Sequence, residues 1–566
     1  MMKMTGARAV LECLKREGVD VVFGYPGGAI LPLYEEMYKD NFRHILTGHE
    51  QGAVHAADGY ARVTGRPGVC IATSGPGVCN MVTGIATANM DSIPMVIISG
   101  QVPTGLIGRD SFQEADISGI TSPITKHNYL VKNAASIPRV LKEAFYIAST
   151  GRPGPVLIDI AKDALEAEIY FQYPDKVHLP GYVVETTGQA YDIDRAVAMI
   201  QHSQKPVFLV GGGVILSETT KYLEDIVNTM KIPVVTTLMG KGAIPDSHEL
   251  HLGMGGMHGS YASNKAISSC DLLIALGARF DERLTSRADT FAPNAQIIHF
   301  EIDDVEIDKI IDIDLGIKGD LRWSLPIFAK KLKEGAFDYG AAFADWRHEV
   351  LAMKKSHPFA TPPRPGCISP QSIFAAVRDI TRDDDTVAIT DVGQHQMWAA
   401  QFFTTDEPKH FISSGGLGTM GFGLPAALGA KVACPEKTVV VFSGDGSILM
   451  NCQEFATLSE YGIDVKVIVL HNDTLGMIVQ LQDFFYNHHY SQCTLNKRKN
   501  LPMLAESLGV KGYAIEKQDD LIPVLKEAFS HKGPALVDIR ISSEERVYPT
   551  VPGGKALSDM ILGGDA

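Results

Sequence analysis

The stretch Val439-Val-Val-Phe442-Ser-Gly444-Asp445-Gly446-Ser447 is an apolar, β-branched run that ends in an acid between two glycines. A second run, Val465–Leu470, ends at His471-Asn472, so that Asn472 follows Asp445 by 27 residues. Short apolar runs bounded by turn residues predict buried strands of a parallel sheet. Both polar residues then emerge at its carboxyl edge, where α/β folds bind ligands. A carboxylate and an amide oxygen are hard donors of the kind Mg²⁺ takes, in an octahedron at ~2.0–2.1 Å usually completed by water and phosphate oxygens. The glycines let backbone amides approach a diphosphate, which a following helix N-terminus also favours. Gly444-Asp445-Gly446 by itself fits an ordinary strand-turn-helix equally well; the distance to Asn472 supplies the specificity.

The same kind of run recurs in three groups. The first holds Val21–Phe23, Gly68–Ala72, Met95–Ser99 and Pro155–Ile158, and the second Val207–Val210, Val234–Thr236, Leu272–Leu276 and Ile297–Ile302. The third holds Val387–Thr390, Val439–Phe442, Val465–Leu470 and Ala535–Asp538. Helical stretches between them predict an α/β chain of three doubly wound parallel-sheet domains. Leu165–Tyr191, with Pro174, Pro180 and Gly181, reads as one linker, and Gly335–Pro370, ending in the Pro-rich Thr361–Gly366, as another. The expected domains are residues 1–165, 190–335 and 366–550, with 551–566 as a C-terminal tail. No fixed repeat is present, although the first and third groups fit a distant duplication.

A chain of 566 residues suits several domains of ~100–200 residues each. With 45% hydrophobic and 21% charged residues it is not a disordered chain. The net charge of −15 repels phosphate backbones and anionic membrane surfaces, so neither nucleic acid nor membrane is expected as a partner. No apolar stretch approaches the ~18 residues that suggest a membrane span. Met1–Asp20 carries charges of both signs and lacks the apolar core of a secretory signal. The eight cysteines form no C-x-x-C pair, which argues against a disulfide framework or cysteine-ligated zinc and predicts reduced thiols in the cytoplasm.

Glu50, in Thr47-Gly-His-Glu50-Gln-Gly, follows the strand-like Arg43–Leu46 and precedes a predicted helix Ala53–Ala61, which places an acid at a strand-to-helix turn. Alone, such a glutamate is more often a helix cap or a surface residue. Its spacing to His49 and His55 does not make H-E-x-x-H, so a zinc protease is rejected. Gly416-Leu-Gly418-Thr-Met-Gly421 fits G-x-G-x-x-G, a weak signal alone. Gly211-Gly212-Gly213 after Val207–Val210 suits the close approach of a nucleotide, and equally a structural turn.

The spacing from Gly444-Asp445-Gly446 to Asn472 resembles the signature of thiamine diphosphate (ThDP) enzymes. Phe112-Gln113-Glu114, Ile124–Tyr129, Thr236–Gly240, Gly256–Gly259 and Arg279-Phe-Asp-Glu-Arg283 resemble the acetohydroxyacid synthase (acetolactate synthase) catalytic-subunit family, from about residue 4 onward. The resemblance implies a pyrimidine-binding first domain, an FAD-binding central domain and a diphosphate-binding third domain. It implies Asp445, Asn472 and the Thr474 carbonyl as Mg²⁺ ligands, with His471 a neighbour. It assigns Gly444, Gly446, Ser447, Gln394, His395 and Met477 to the ThDP site, along with Gly418, in a loop whose backbone faces the aminopyrimidine, and Met420, the apolar wedge that bends the cofactor.

Glu50 is then the acid that shares a proton with the ring nitrogen. For FAD the resemblance implies Arg152, Gly212, Gly213, His258, Arg279, Glu301 and Asp320, with Glu282 standing where the flavin motif has an aspartate. Arg283 matches the arginine that recognises the carboxylate of the second 2-keto acid, a task suited to its planar fork, and reads otherwise as a surface ion pair. Lys162 matches a lysine at the active-site entrance. Phe112 and Gln113 match residues that reach in from a partner subunit, so a homodimer or homotetramer is implied, and a separate small regulatory subunit is allowed for. Leu481, in Leu475-Gly-Met-Ile-Val-Gln-Leu481, stands where the pattern has a tryptophan shaping the acceptor pocket.

The implied activity is ThDP- and Mg²⁺-dependent decarboxylation of pyruvate and condensation of the two-carbon unit with a second 2-keto acid, giving 2-acetolactate in branched-chain amino acid biosynthesis. Leu481 predicts pyruvate as the favoured acceptor over 2-ketobutyrate. The rivals are a flavin-dependent pyruvate oxidase on the same fold and a non-catalytic relative acting as a regulatory subunit. Retention of Glu50, Asp445 and Asn472 counts against the second.

Overall fold

The apolar runs form three separate six-stranded sheets in the computed structural model, which describes residues 2–360, 364–495 and 499–563. Every strand pair within them is parallel. Their central strands are buried along their whole length because helices cover both faces.

The first sheet runs His44–Leu46, Val22–Gly24, Gly68–Ala72, Met95–Gln101, Pro155–Ala161, His127–Val131. The third runs Phe411–Ile412, Thr386–Thr390, Thr438–Gly444, Val465–His471, Ala535–Arg540, Lys511–Ile515. Counted within each sheet, both have the strand order 2-1-3-4-6-5, as a duplication would leave. The central sheet runs His251–Met254, Val234–Thr236, Pro206–Val210, Leu272–Leu276, Gln296–Glu301, Leu315–Lys318, the order 3-2-1-4-5-6 of doubly wound nucleotide-binding folds. The winding reverses beside the first strand of each sheet and opens a crevice at the carboxyl edge. In the third sheet that point lies between Thr386–Thr390 and Thr438–Gly444, and in the central sheet between Pro206–Val210 and Leu272–Leu276.

Four expectations are corrected. The first linker contains a strand, Glu168–Phe171, paired antiparallel with Met2–Thr5. The second contains the helices Tyr339–Ala342 and Ala344–Ser356; the latter packs on the central domain, where Trp346 Nε1 donates to the Pro206 carbonyl at 3.0 Å. Of its Pro-rich end, residues 361–363 lie outside the described residues. The helix expected from Ala53 begins at Glu50 and continues to Thr64, capped by His49, whose Nδ1 accepts from Gln51 N at 3.0 Å. The tail folds back on the central domain: Val551 N donates to Met257 O at 2.8 Å and Leu557 is buried. Residues 564–566 of it lie outside the described residues. Among the described residues no helix is long and apolar enough to cross a membrane.

The first and third domains share one apolar core. At its centre the helix Glu50–Thr64 lies on the helix Gly423–Ala433, with Ala53, Ala56, Ala57, Ala426, Ala427 and Ala430 buried between them. A Cβ on Gly59 would overlap the Ala426 carbonyl, and one on Gly429 the Ala56 carbonyl. A Gly→Ala change inside a helix normally stabilises it by about 1 kcal/mol. At Gly59 the sign should reverse, because overpacking costs ~1–3 kcal/mol. Gly59→Ala is therefore expected to lower the thermal midpoint relative to Gly105→Ala, a position with open space around it. An unchanged or raised midpoint for Gly59→Ala would show that the two backbones are not in limiting contact.

Candidate active site

The carboxyl edge of the third sheet gathers the residues picked out by spacing. Asp445 ends the strand Thr438–Gly444 and is buried, as is the neighbouring Ser447, whose hydroxyl donates to Val392 O at 2.9 Å. This ties the Gly444–Ser447 turn to the turn after Thr386–Thr390. Gln394 and His395 open the helix that follows and are buried. Gln394 Nε2 donates to Gln480 Oε1 at 3.1 Å and to Glu545 O at 3.0 Å, while its Oε1 has no hydrogen bond. His395 Nε2 and Thr474 Oγ1 are likewise buried without partners. A Cβ on Gly476 would overlap Gln394 Oε1 and press on Asn472 Nδ2, so the start of the helix Gly476–Phe485 lies directly against these two side chains.

Asp445 Oδ2 lies 2.7 Å from Lys499 Nζ and 3.5 Å from His471 Nε2. The ammonium is an ion-pair neighbour that makes no aligned hydrogen bond, which leaves that oxygen an open acceptor direction. His471 Nδ1 faces Asp538 at 2.8 Å and its Nε2 faces Asp473 at 2.9 Å. Burial opposes the imidazolium, but Asp538, Asp445 and Asp473 outweigh it and raise the His471 pKa. Asp473 also pairs with Arg540 at 2.7 Å and Lys499 at 3.2 Å.

Asp445, His471 and Asp473 bring ligand atoms within 4.8 Å of one another. His471 and Asp473 are already committed to this ionic network, whereas Asp445 Oδ2 and Thr474 Oγ1 are open. Asn472 Oδ1 accepts from Thr474 N at 3.1 Å and retains a second lone pair. These are oxygen donors of the kind a divalent cation with a diphosphate requires. Lys499, Arg540 and Asp473 were not anticipated; the first two lie far in sequence from Asp445, and Asp473 directly follows Asn472.

Asp391 was also missed. It is buried, its Oδ1 accepts from Val392 N and Gly421 N, both at 2.8 Å, and burial pushes its carboxyl up to about 6. It thereby fastens the loop containing Gly418 and Met420 to the crevice. Gly418 has a positive φ of 69°, and the Met420 methyl would lie 4.0 Å from a Cβ placed on Gly446.

A cavity of about 780 Å³ runs from this loop into the crevice of the central domain. One end is lined by Gly418, Met477, Leu481, Phe484, Phe485 and Arg283. The other is lined by Arg152, Gly212, Gly213, His258, Arg279, Glu301 and Asp320, the whole set of expected flavin contacts. His258 Nδ1 is buried without a partner, and burial holds the ring neutral, with a pKa of about 4. Burial likewise pushes the Glu301 carboxyl up to about 7, against the pull of the Ile302 and Asp303 N–H groups it accepts from. Arg152, from the first domain, crosses to Glu306 at 2.7 Å and Asp303 at 3.2 Å. Leu481 is 37% exposed on the cavity wall. Arg283 Nε lies 3.6 Å from Glu282, an exposed pair.

Glu50, Phe112, Gln113 and Lys162 do not line this cavity. Glu50 Oε2 accepts from Asn80 Nδ2 at 3.0 Å, and the turn before it is held by Glu454, whose Oε2 accepts from Gly48 N at 3.0 Å. Phe112 is 88% exposed, Gln113 has a positive φ of 60°, and Lys162 lies 4.0 Å from Glu166. Arg152 is the first-domain candidate that joins the central residues at the cavity, while Glu50, Phe112, Gln113 and Lys162 stand apart from it.

The comparisons with known proteins agree with this architecture. Residues 4–120 match the thiamine pyrophosphate enzyme N-terminal TPP binding domain, residues 193–327 the central domain, and residues 391–539 the C-terminal TPP binding domain. The chain is 46% identical over 561 residues to an acetolactate synthase large subunit of Mycobacterium tuberculosis, covering 98% of this chain and 91% of that protein. It is 45% identical over 565 residues to the acetolactate synthase large subunit of Corynebacterium glutamicum, covering 99% and 90%. It is 46% identical over 575 residues to a probable acetolactate synthase large subunit of Methanocaldococcus jannaschii, covering 99% and 95%. Three matched domains and full-length likeness at this level place the chain in the thiamine pyrophosphate enzyme family, among the acetolactate synthase large subunits.

Proposed function

We propose that this chain is a ThDP- and Mg²⁺-dependent carboligase that decarboxylates pyruvate and joins the two-carbon unit to a second 2-keto acid, giving 2-acetolactate for branched-chain amino acid biosynthesis in the cytoplasm. The observation that carries the reading is a set of buried, unpartnered acceptors and donors, Gln394 Oε1, His395 Nε2 and Thr474 Oγ1, on the loops around Asp445. They adjoin a cavity whose wall holds Arg283 and Leu481.

Bound ThDP would supply the carbon nucleophile and electron sink that side chains lack. Asp445, Asn472 and Thr474 would hold Mg²⁺, and Gln394, His395, Gly444, Gly446 and Ser447 the diphosphate. Gly418 and Met420 would back the ring, and Met477 would close the site from the helix Gly476–Phe485. Glu50 would pass a proton to and from the ring nitrogen. Because Glu50, Phe112, Gln113 and Lys162 stand away from their own chain's cavity, they would serve the site of a second copy, in a homodimer or homotetramer. The Arg283 guanidinium would orient the acceptor by its carboxylate. Leu481, Phe484 and Phe485 would keep water from the reacting carbon. FAD would lie along Arg152, Gly212, Gly213, His258, Arg279, Glu301 and Asp320 in a structural role. The large-subunit designation of the relatives is consistent with a separate small regulatory subunit. Product analysis with pyruvate, ThDP and Mg²⁺ tests the reading. Acetolactate is expected, and stoichiometric flavin bleaching without acetolactate would assign the chain to the oxidases instead.

Asp445→Asn should weaken ThDP binding at limiting Mg²⁺ with little change in melting, because the amide lacks the anionic oxygen that anchors the ion; titration of binding against Mg²⁺ measures it. Glu50→Gln keeps the shape but cannot exchange a proton, so turnover should fall by ~10²–10⁴-fold while ThDP still binds. Unchanged exchange of the thiazolium proton in that variant would remove Glu50 from the role. Leu481→Trp should raise the acetohydroxybutyrate share several-fold in pyruvate/2-ketobutyrate competition, one methylene being worth ~1–3 kcal/mol in an apolar pocket. An unchanged product ratio would take Leu481 out of the acceptor pocket.

A further inference from the structure

The loop Ser413–Gly421 is gripped from two sides. Its own domain holds it through Gln396 Nε2, which donates to Ser413 Oγ at 2.7 Å and Ser414 O at 3.0 Å, and through Asp391. The other grip comes from the first domain of the same chain. Asp91 Oδ1 accepts from Gly416 N at 2.7 Å and its Oδ2 from Gly415 N at 3.2 Å. Arg62 donates to Ser413 O at 2.9 Å and to Asp91 Oδ2 at 2.8 Å. The hydroxyls of Thr87 and Thr419 meet at 2.7 Å. Arg62 also pairs with Asp58, and its guanidinium lies 5.1 Å from the centre of the Phe422 ring.

This grip is costly to build. The Asp58 and Asp91 side chains are 0% exposed and that of Arg62 only 6%. Burying one guanidinium between two carboxylates carries a desolvation penalty that well-packed apolar residues would avoid. What the arrangement gains is geometry. One carboxylate offers two fixed acceptors to two successive N–H groups, and the guanidinium fixes the carboxylate. Gly416, Leu417 and Gly418 line the cavity immediately beyond those N–H groups, as do Asp91 and Arg62 themselves.

We propose that Asp91, held in place by Arg62, is a positioning residue for the ring-facing loop, so that the first domain shapes the ring cradle of its own chain while its Glu50 serves another copy. This rests on the reading above in which the backbone at Gly418 faces the aminopyrimidine of ThDP. Asp91→Asn keeps the volume but turns an N–H₂ toward a backbone N–H and leaves Arg62 short of a counter-charge. The ring cradle should loosen, and the diphosphate contacts on the far side of the crevice should not.

Calorimetric titration with two probes separates these effects: Mg²⁺–ThDP, which carries the ring, and Mg²⁺–pyrophosphate, which does not. Asp91→Asn is expected to weaken ThDP binding about tenfold, the scale of one buried hydrogen bond left unmade, with pyrophosphate binding unchanged. Thr87→Val, which removes only the hydroxyl pair with Thr419, should show the same selectivity in smaller measure and decides the matter if Asp91→Asn does not fold. Equal weakening of both probes would reduce Asp91 to a general structural support, and no weakening of either would show that the loop needs no anchor; both overturn the proposal. Asp445→Asn is the control for the underlying reading, because it should weaken both probes. A parent chain that binds neither would defeat that reading before the Asp91 comparison is made.

Discussion

Two helices with almost no side chain between them hold the first and third domains together. Gly59 and Gly429 let the helices Glu50–Thr64 and Gly423–Ala433 touch backbone to backbone, and the alanines around them fill the rest. Such a contact tolerates little sliding, because backbone carbonyls on both sides already occupy the space that a Cβ would need. Each helix also continues into functional residues. The first begins at Glu50, and the second follows directly on the loop Ser413–Phe422. Secondary bonds across the same interface, Gly48 N to Glu454 and Leu46 N to the Tyr461 hydroxyl at 3.0 Å, fix the turn that presents Glu50. The placement of Glu50 and the root of the loop Ser413–Phe422 therefore depend on one packing contact.

Around that contact the chain concentrates buried charge in pairs. Arg62 lies between Asp58 and Asp91, and His471 between Asp538 and Asp473, with Lys499 and Arg540 completing the second network. Desolvation makes each isolated ion expensive, and mutual pairing offsets it only where the geometry is good. The first network is built on the helix Glu50–Thr64 and the end of the helix Val82–Asp91, the second on the carboxyl ends of the strands Val465–His471 and Ala535–Arg540.

The parallel sheets were legible because their central strands are continuous β-branched runs; Gly68–Ala72, Val234–Thr236 and Leu272–Leu276 have the bounds expected of them. Of the strands at sheet edges only His44–Leu46 was read, as Arg43–Leu46. His127–Val131 and Lys511–Ile515 are partly exposed and mixed in polarity, and Phe411–Ile412 is only two residues long. Glu168–Phe171 alternates exposed and buried residues within a Pro- and Gly-bearing segment, so its pairing with Met2–Thr5 depends on a partner that local pattern does not reveal. The site divides in the same way. Asp445 and Asn472 declared themselves through spacing after two strands that proved adjacent. Asp391, Lys499, Arg540 and the pair Arg62–Asp91 act through contacts between distant segments, which no local motif encodes.

The residues Asp91 and Ser92 show how closely the three domains are tied. Asp91 accepts the N–H groups of Gly415 and Gly416 in the third domain. Its neighbour Ser92, in a left-handed conformation with φ 60°, accepts at Oγ from Arg152 Nε at 2.9 Å. Arg152 in turn pairs with Asp303 and Glu306 in the central domain. A single helix end in the first domain thus borders both the loop Ser413–Gly421 and the crevice of the central domain. The anchoring is done by two successive side chains of one turn. Asp91, Ser92 and Arg152 of the first domain line the cavity, whereas its acid, Glu50, does not.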